Sequence, residues 1–190
     1  MQNKNSNTKG ISGQGAAIAA AVGGLAIGLM ANAGRKAIMQ GMDASYGEWD
    51  DVLKAEHEAT IMIFDKIAET DEKQVTKRKM LLMQLKHALS KHAHEEENVV
   101  YPAMRENGLT EEADHLNHDH GYVKQYLFEL TEMKPSDPAW LTKVEEFRDR
   151  LEEHVREEED ELFPKLRDQL GEDGNAHVTA AMNKEGFKLA

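Results

Sequence analysis

No cysteine occurs in this chain of 190 residues, which removes disulfides, thiolate metal ligands, iron-sulfur clusters and thiol catalysis together. Any metal the chain holds must therefore sit on nitrogen and oxygen. Proline is scarce at four residues, aromatics make up 6%, and no window shows the strict alternation of a half-buried strand. A sheet has little to build on, whereas 31% charged residues suit helices with solvated faces. Basic charge is also short. The 23 Lys and Arg against 35 Asp and Glu leave a net charge of −12, which repels phosphate backbones and anionic lipid surfaces over most of the molecule. Nucleic acid is therefore not an expected partner.

One stretch lacks charge altogether. After a polar lead-in, Met1 to Gly10, the run Gly15 to Ala31 contains only small and apolar residues, with Lys9 before it and Arg35 and Lys36 after it. Three readings compete. A signal peptide would end near Ala31-Asn32-Ala33. A membrane helix is marginal, because a span needs about 20 mostly apolar residues. An accessory helix would use Gly24-x-x-x-Gly28 for close helix contact in a membrane or a protein interface. Cytoplasmic placement is the expectation, and membrane association or export turns on which reading holds.

Past this segment, apolar residues recur three and four apart. The first stripe is Trp49, Leu53, His57, Thr60 or Ile61, Phe64 and Ile67; the second is Leu81, Leu85, Leu89, His92, Glu96, Val99 and Ala103. The third begins after Thr110, read as an N-cap, and runs through Ala113, Leu116, His120, Val123, Leu127 and Leu130. The fourth follows Asp137 as N-cap and Pro138 as first helical residue, through Leu141, Val144, Phe147, Leu151, His154, Glu158 and Leu162. Asn107-Gly108 and Gly171 punctuate the ends. The spacing predicts an all-α protein, an antiparallel up-down-up-down four-helix bundle over residues 46–170. An N-terminal small-residue apolar helix lies within 1–45, and a short tail of 171–190 holds one brief helix, Val178 to Met182.

The polar intruders on these stripes repeat. His92 to Pro102 and His154 to Pro164 share their His, three Glu and Pro at an offset of 62 (154 minus 92), and His57 and His120 are 63 apart (120 minus 57). The bundle therefore has an internal pseudo-twofold that faces two half-sites toward each other. His and Glu four apart share a helix face, so His57, His92, Glu96, His120, His154 and Glu158 converge at mid-bundle. A lone His on an apolar stripe is more often a hydrogen-bonded core residue than a ligand. Four of them with two buried carboxylates are hard to tolerate unless cations compensate. The set divides into two ions with two His each, bridged by Glu96 and Glu158. This donor set suits iron, manganese or zinc, with iron favoured for two redox-active ions in a bundle.

The remaining candidates are weaker. His87, His94, His115 and His118 fall off the stripes, and His177 lies in the tail. Within Glu95-Glu96-Glu97 and Glu157-Glu158-Glu159, one Glu each points inward and the neighbours read as a solvated face. Tyr101 and Phe163 occupy equivalent positions and read as packing residues, while Tyr101, Tyr122 and Tyr126 are the tyrosines that can neighbour the metals. A ferritin-like site needs two Glu-x-x-His pairs, and only Glu112-x-x-His115 has that spacing.

The order His57, His92-x-x-x-Glu96, His120, His154-x-x-x-Glu158 resembles the hemerythrin-like HHE cation-binding family over about Trp49 to Leu170. The resemblance implies a non-haem di-iron centre on these six residues. The third helix lacks the His-x-x-x-His pair of the oxygen-carrying hemerythrins, and the last carboxylate is Glu in a four-residue step where theirs is Asp in a five-residue step. An oxo or hydroxo bridge completes such a centre and leaves positions open for dioxygen, peroxide or nitric oxide. The expected role is sensor, scavenger or redox protein, with enzyme activity an open question. The alternative is a membrane-tethered or interaction adaptor in which the metal is structural or sensory.

Overall fold

Trp49, Val52, Leu53, Ile63, Phe64 and Ile67 lie buried along one face of α1 (Trp49–Ala68), the stripe that drives the helix onto its neighbours. In the computed structural model, which describes residues 47–189, α2 (Val75–Glu95) follows and passes through a π-helical turn, Glu96–Val100, into α3 (Tyr101–Glu106). Then come α4 (Thr110–Glu132), α5 (Ala139–Glu157), a second π-helical turn at Glu158–Leu162, and α6 (Phe163–Leu189). No strand occurs among the described residues. Helix α1 packs on α2 and α5, and α4 packs on the same two helices, which closes a four-helix bundle around a shared core. The lead-in and the Gly15 to Ala31 segment lie outside the described residues. No helix among the described residues is long and apolar enough to cross a membrane.

The connections follow from local chemistry. Gly108 has φ +82° and stops α3, with Gly108 N–H donating to the Arg105 carbonyl and Leu109 N–H to that of Met104. Glycine adopts this left-handed conformation without a Cβ penalty. Two caps differ from the sequence reading. Thr110 is the first residue of α4 and makes no side-chain cap. Pro138 stands just before α5, and the Asp137 carboxylate accepts from Ala139 N–H at 2.9 Å. At the far end of the bundle, buried Arg78 donates to Thr70 Oγ1, the Thr70 carbonyl and the Pro135 carbonyl. Its guanidinium also lies over Trp140, so one cation ties two loops together.

The C-terminal residues form more than a brief helix. Gly171 (φ +63°) breaks α6, and the second arm runs over 172–189. Val178 and Met182 are buried, as expected. Trp49 anchors this arm, its backbone N–H donating to Thr179 Oγ1 at 3.0 Å and its indole N–H to Asn175 Oδ1 at 2.8 Å. A Cβ at Gly186 would run into the Glu95 carboxylate, so glycine allows the arm to lie close against α2.

The core is split in two. Trp49, Leu53, Tyr101, Leu116, Phe163 and Met182 belong to one apolar cluster. Phe64, Leu85, Leu127, Trp140, Phe147 and Leu151 belong to a second. Between them in sequence on every long helix stands a polar residue where the stripe demands an apolar one: His57, His92, His120 and His154.

Candidate metal centre

All six residues singled out in the sequence are buried, with Glu96 and Glu158 fully so. Four of them, His57, His92, Glu96 and Glu158, place one ligand atom each within 4.8 Å of one another; Glu96, His120 and His154 form a second such group. The carboxylates link the two. Glu96 Oε2 lies 3.2 Å from both His92 Nε2 and His120 Nε2. Glu158 divides its oxygens, Oε2 at 3.4 Å from His57 Nε2 and Oε1 at 3.4 Å from His154 Nε2. Several of these buried atoms have no hydrogen-bond partner: Glu96 Oε1, Glu158 Oε2 and both ring nitrogens of His154. Orphaned donors and acceptors in a core are costly, and a cation among them removes the cost. The donor set fits borderline metal ions bound by imidazole and carboxylate.

The two π-helical turns shape the site. In an α-helix, residues five apart point about 140° away from each other. Here Tyr101 N–H reaches the Glu96 carbonyl, and Phe163 N–H reaches that of Glu158, so each wide turn stacks residue five above residue zero. The prolines that follow, Pro102 and Pro164, lack an N–H to give to the preceding turn. Consequently Tyr101 is not only a packing residue. Its hydroxyl lies 3.0 Å from His120 Nε2, 3.2 Å from Glu158 Oε1 and 3.3 Å from Glu96 Oε2. Phe163 brings no oxygen; its ring stacks on His57 at 6.2 Å and meets Trp49 edge-on. Tyr122 and Tyr126 do not join the centre. Tyr126 stacks on Phe147, and Tyr122 is exposed beneath Arg150.

Each inward histidine turns its other nitrogen to a carboxylate that the sequence reading left out of the site. His57 Nδ1 donates to Glu159 at 2.7 Å, His92 Nδ1 to Glu56 at 3.1 Å and His120 Nδ1 to Glu97 at 3.0 Å. His154 Nδ1 faces Asp119 more loosely, at 3.7 Å. A carboxylate on Nδ1 fixes the tautomer with the Nε2 lone pair inward and raises its basicity. Three of these carboxylates are themselves held by cations, Glu56 by buried Lys91, Glu97 by Lys124 and Asp119 by Arg150. Glu95, expected to face solvent, is buried against Lys91 at 2.7 Å. His94 meets Glu185 of the C-terminal arm, and His118 stays on the surface beside Tyr122. His115, Asp119 and Glu157 form a third group, open to solvent at His115. Arg150 already holds Asp119 at 2.6 Å, so this group extends the support of His154.

Without a cation, protons take its place. Burial alone would lower the pKa of His57, but hydrogen bonds to Glu158 and Glu159 outweigh it and hold the ring at about 10. Burial likewise opposes charge on His120, and Glu96 and Glu97 prevail, raising it to about 9. His154 is raised against its own burial by the Glu158 charge. Burial would push the Glu158 carboxyl up, yet the charges of His154 and His57 hold it well below the usual range. Glu97 is drawn down to about 2, chiefly by the hydrogen bond from His120. Burial and the neighbouring carboxylates push the Tyr101 phenol well above its ordinary value.

The chain is similar to known proteins. A DNA nickase of Nostoc sp. is 28% identical over 145 residues, 76% of this chain and 41% of that protein. An uncharacterized hemerythrin-like protein of Schizosaccharomyces pombe is 30% identical over 100 residues, 50% of this chain and 49% of that protein. The chain thus spans less than half the length of these curated relatives. A crystal structure of a hemerythrin HHE cation binding domain-containing protein from Mycobacterium kansasii has the same fold. It superposes with a TM-score of 0.61 at 24% identity, covering 74% of this chain and 88% of the other. The family model for the hemerythrin HHE cation binding domain matches residues 50–166, a span that contains all six buried His and Glu. The chain belongs to the hemerythrin HHE cation-binding family.

Proposed function

We propose that the chain carries a non-haem two-metal centre, with iron the favoured occupant over manganese or zinc, that binds or reacts with dioxygen, peroxide or nitric oxide. The observation that carries this reading is the sharing of carboxylates between two donor groups. One ion would rest on His57 and His92, the other on His120 and His154, with Glu96 and Glu158 between them. Two such ions would supply open coordination positions and redox chemistry toward a small ligand.

The chain's own groups do the rest. Carboxylates hold three of the imidazoles by hydrogen bonds and Asp119 faces the fourth before a metal arrives, so loading costs little side-chain ordering. The apolar clusters to either side exclude water from the polar layer. A cleft lined by Leu89, Ala93, Val123 and Leu127 borders His120 and Glu97. Metal analysis and Mössbauer spectra of the purified, iron-reconstituted protein test the reading. Two irons per chain in a coupled pair are expected; well under two would overturn it.

Contact with a membrane or a protein through Gly15 to Ala31 is a separate proposal. A truncation starting at Ser45 should keep metal loading and lose that association in fractionation. Strand nicking, the activity in the Nostoc relative's name, stays with that protein, since this chain matches 41% of it and a charge of −12 opposes a nucleic-acid backbone.

A further inference from the structure

The two halves of the centre are built alike except at one atom. Sixty-two residues separate Tyr101 from Phe163 (163 minus 101), the same offset that relates His92 to His154 and Glu96 to Glu158. Both aromatic residues follow a π-helical turn and swing toward the centre, but only Tyr101 ends in oxygen.

That oxygen sits where a ligand sits. Neighbouring donors on an octahedral ion with bonds of about 2.1 Å stand about 3 Å apart. The Tyr101 hydroxyl is 3.0 to 3.3 Å from His120 Nε2, Glu158 Oε1 and Glu96 Oε2. His120 Nε2 and Glu96 Oε2 are 3.2 Å from each other, and His154 Nε2 lies 3.4 Å from Glu158 Oε1. The spacing is that of donors sharing one ion. Hydrogen bonding alone serves this cluster poorly. Both carboxylates only accept. Two carboxylates then face a phenol that has one proton, in a fully buried position.

We propose that the Tyr101 oxygen is a further protein ligand, bound as phenolate to the ion held by His120 and His154. Phe163 leaves the ion of His57 and His92 one protein ligand short. The phenolic O–H bond breaks, an oxygen–metal bond forms, and the proton is released to solvent, with no change of oxidation state. The two ions are therefore inequivalent, and the open position belongs to the Phe163 half. This inference rests on the two-metal reading above.

The test uses the full chain reconstituted with ferrous salt and oxidised with ferricyanide, and reads iron content, visible absorption and resonance Raman spectra. The expected result is two irons per chain, a visible phenolate-to-ferric charge-transfer band, and tyrosine ring vibrations enhanced on exciting it. Tyr101→Phe should keep two irons and lose the band. Two irons without tyrosine vibrations in the unaltered protein would overturn the phenolate while leaving the two-metal centre standing. Well under two irons would overturn the centre itself. If Tyr101→Phe does not fold, the chain with Tyr46, Tyr122 and Tyr126 all changed to Phe settles the matter. Tyr101 is then the last of four tyrosines, and the band must survive; its loss refutes the assignment.

Discussion

The half-site of His57 and His92 and the half-site of His120 and His154 share a plan, and they differ in what surrounds it. Each takes one His from a helix that supplies only that residue and one from a His-x-x-x-Glu pair ending in a π-helical turn. Each supports its imidazoles with carboxylates next in sequence to a candidate ligand, Glu56 and Glu159 in one half, Asp119 and Glu97 in the other. The first half is roofed by Phe163 and backed by buried Lys91 and Glu95, against which the C-terminal arm lies at Gly186. The second receives the Tyr101 hydroxyl and borders the cleft beside Glu97. Repetition thus sets the ligand frame, and the departures from it make the two halves unlike.

The largest effect that bears on this comparison is expected from the shared carboxylate. Glu96→Ala should remove the oxygen common to both halves and cost at least one of two ions per chain, read by metal analysis; a variant with both ions retained would refute the bridge. Next come Glu97→Gln and Glu159→Gln, which loosen one histidine in each half. Metal affinity should fall by roughly 10–100-fold in each, measured by competition with a chelator. The loss should fall on one ion of the pair and on opposite ions in the two variants.

Removing the metals should equalise the halves and lower the melting temperature. A ligand at about 100 times its dissociation constant stabilises by roughly 2.7 kcal/mol, worth about 5–10 °C in a chain of this size, and chelator-treated protein should melt lower by that order. The metal-free chain should also depend on pH in a definite direction. Burial opposes charge on His57 and His120, but their carboxylate partners raise them to about 10 and about 9. A raised folded pKa contributes stability that is complete below the unfolded value near 6.5 and is lost as pH climbs through the folded one. Thermal melts should fall from pH 6.5 toward 10, with His120 released before His57, while metal-loaded protein melts evenly over that window. The smallest change is Gly186→Ala, which presses a methyl on Glu95 beside the first half only. A loss of about 1 kcal/mol, or roughly 2–4 °C, is expected with metal content unchanged.

The frame of this molecule was legible because both of its signals are periodic. Apolar residues at three and four gave the long helices, and His57, His92, His120 and His154 stood out by occupying positions that should have been Leu or Val. All six predicted candidate residues are buried and drawn together. The tyrosine was harder to read, because α-helical periodicity places Tyr101 off the face of Glu96, and only the wider turn brings them together. Glu56, Glu97, Asp119 and Glu159 were hidden for another reason. A charged residue beside a buried one normally faces water, and nothing in its identity reveals that a histidine from another helix will reach it. The C-terminal arm is longer than the brief helix expected because Gly171 reads as an end, and Gly186 is what lets the arm come close to α2.

The π-helical turns carry a consequence for register. A helix counts its residues as a screw counts its threads, and each of these turns holds one residue more than an α-helical turn would. Were the same residues wound at the ordinary α-helical pitch, everything after the turn would rotate by about 100°. Tyr101 would leave the centre, and Val99, Val100 and Met104, now buried, would be turned from the places they fill. The two extra residues, one in each half, are therefore a matter of phase: they let a helix that is already packed present a second aromatic face to the same point.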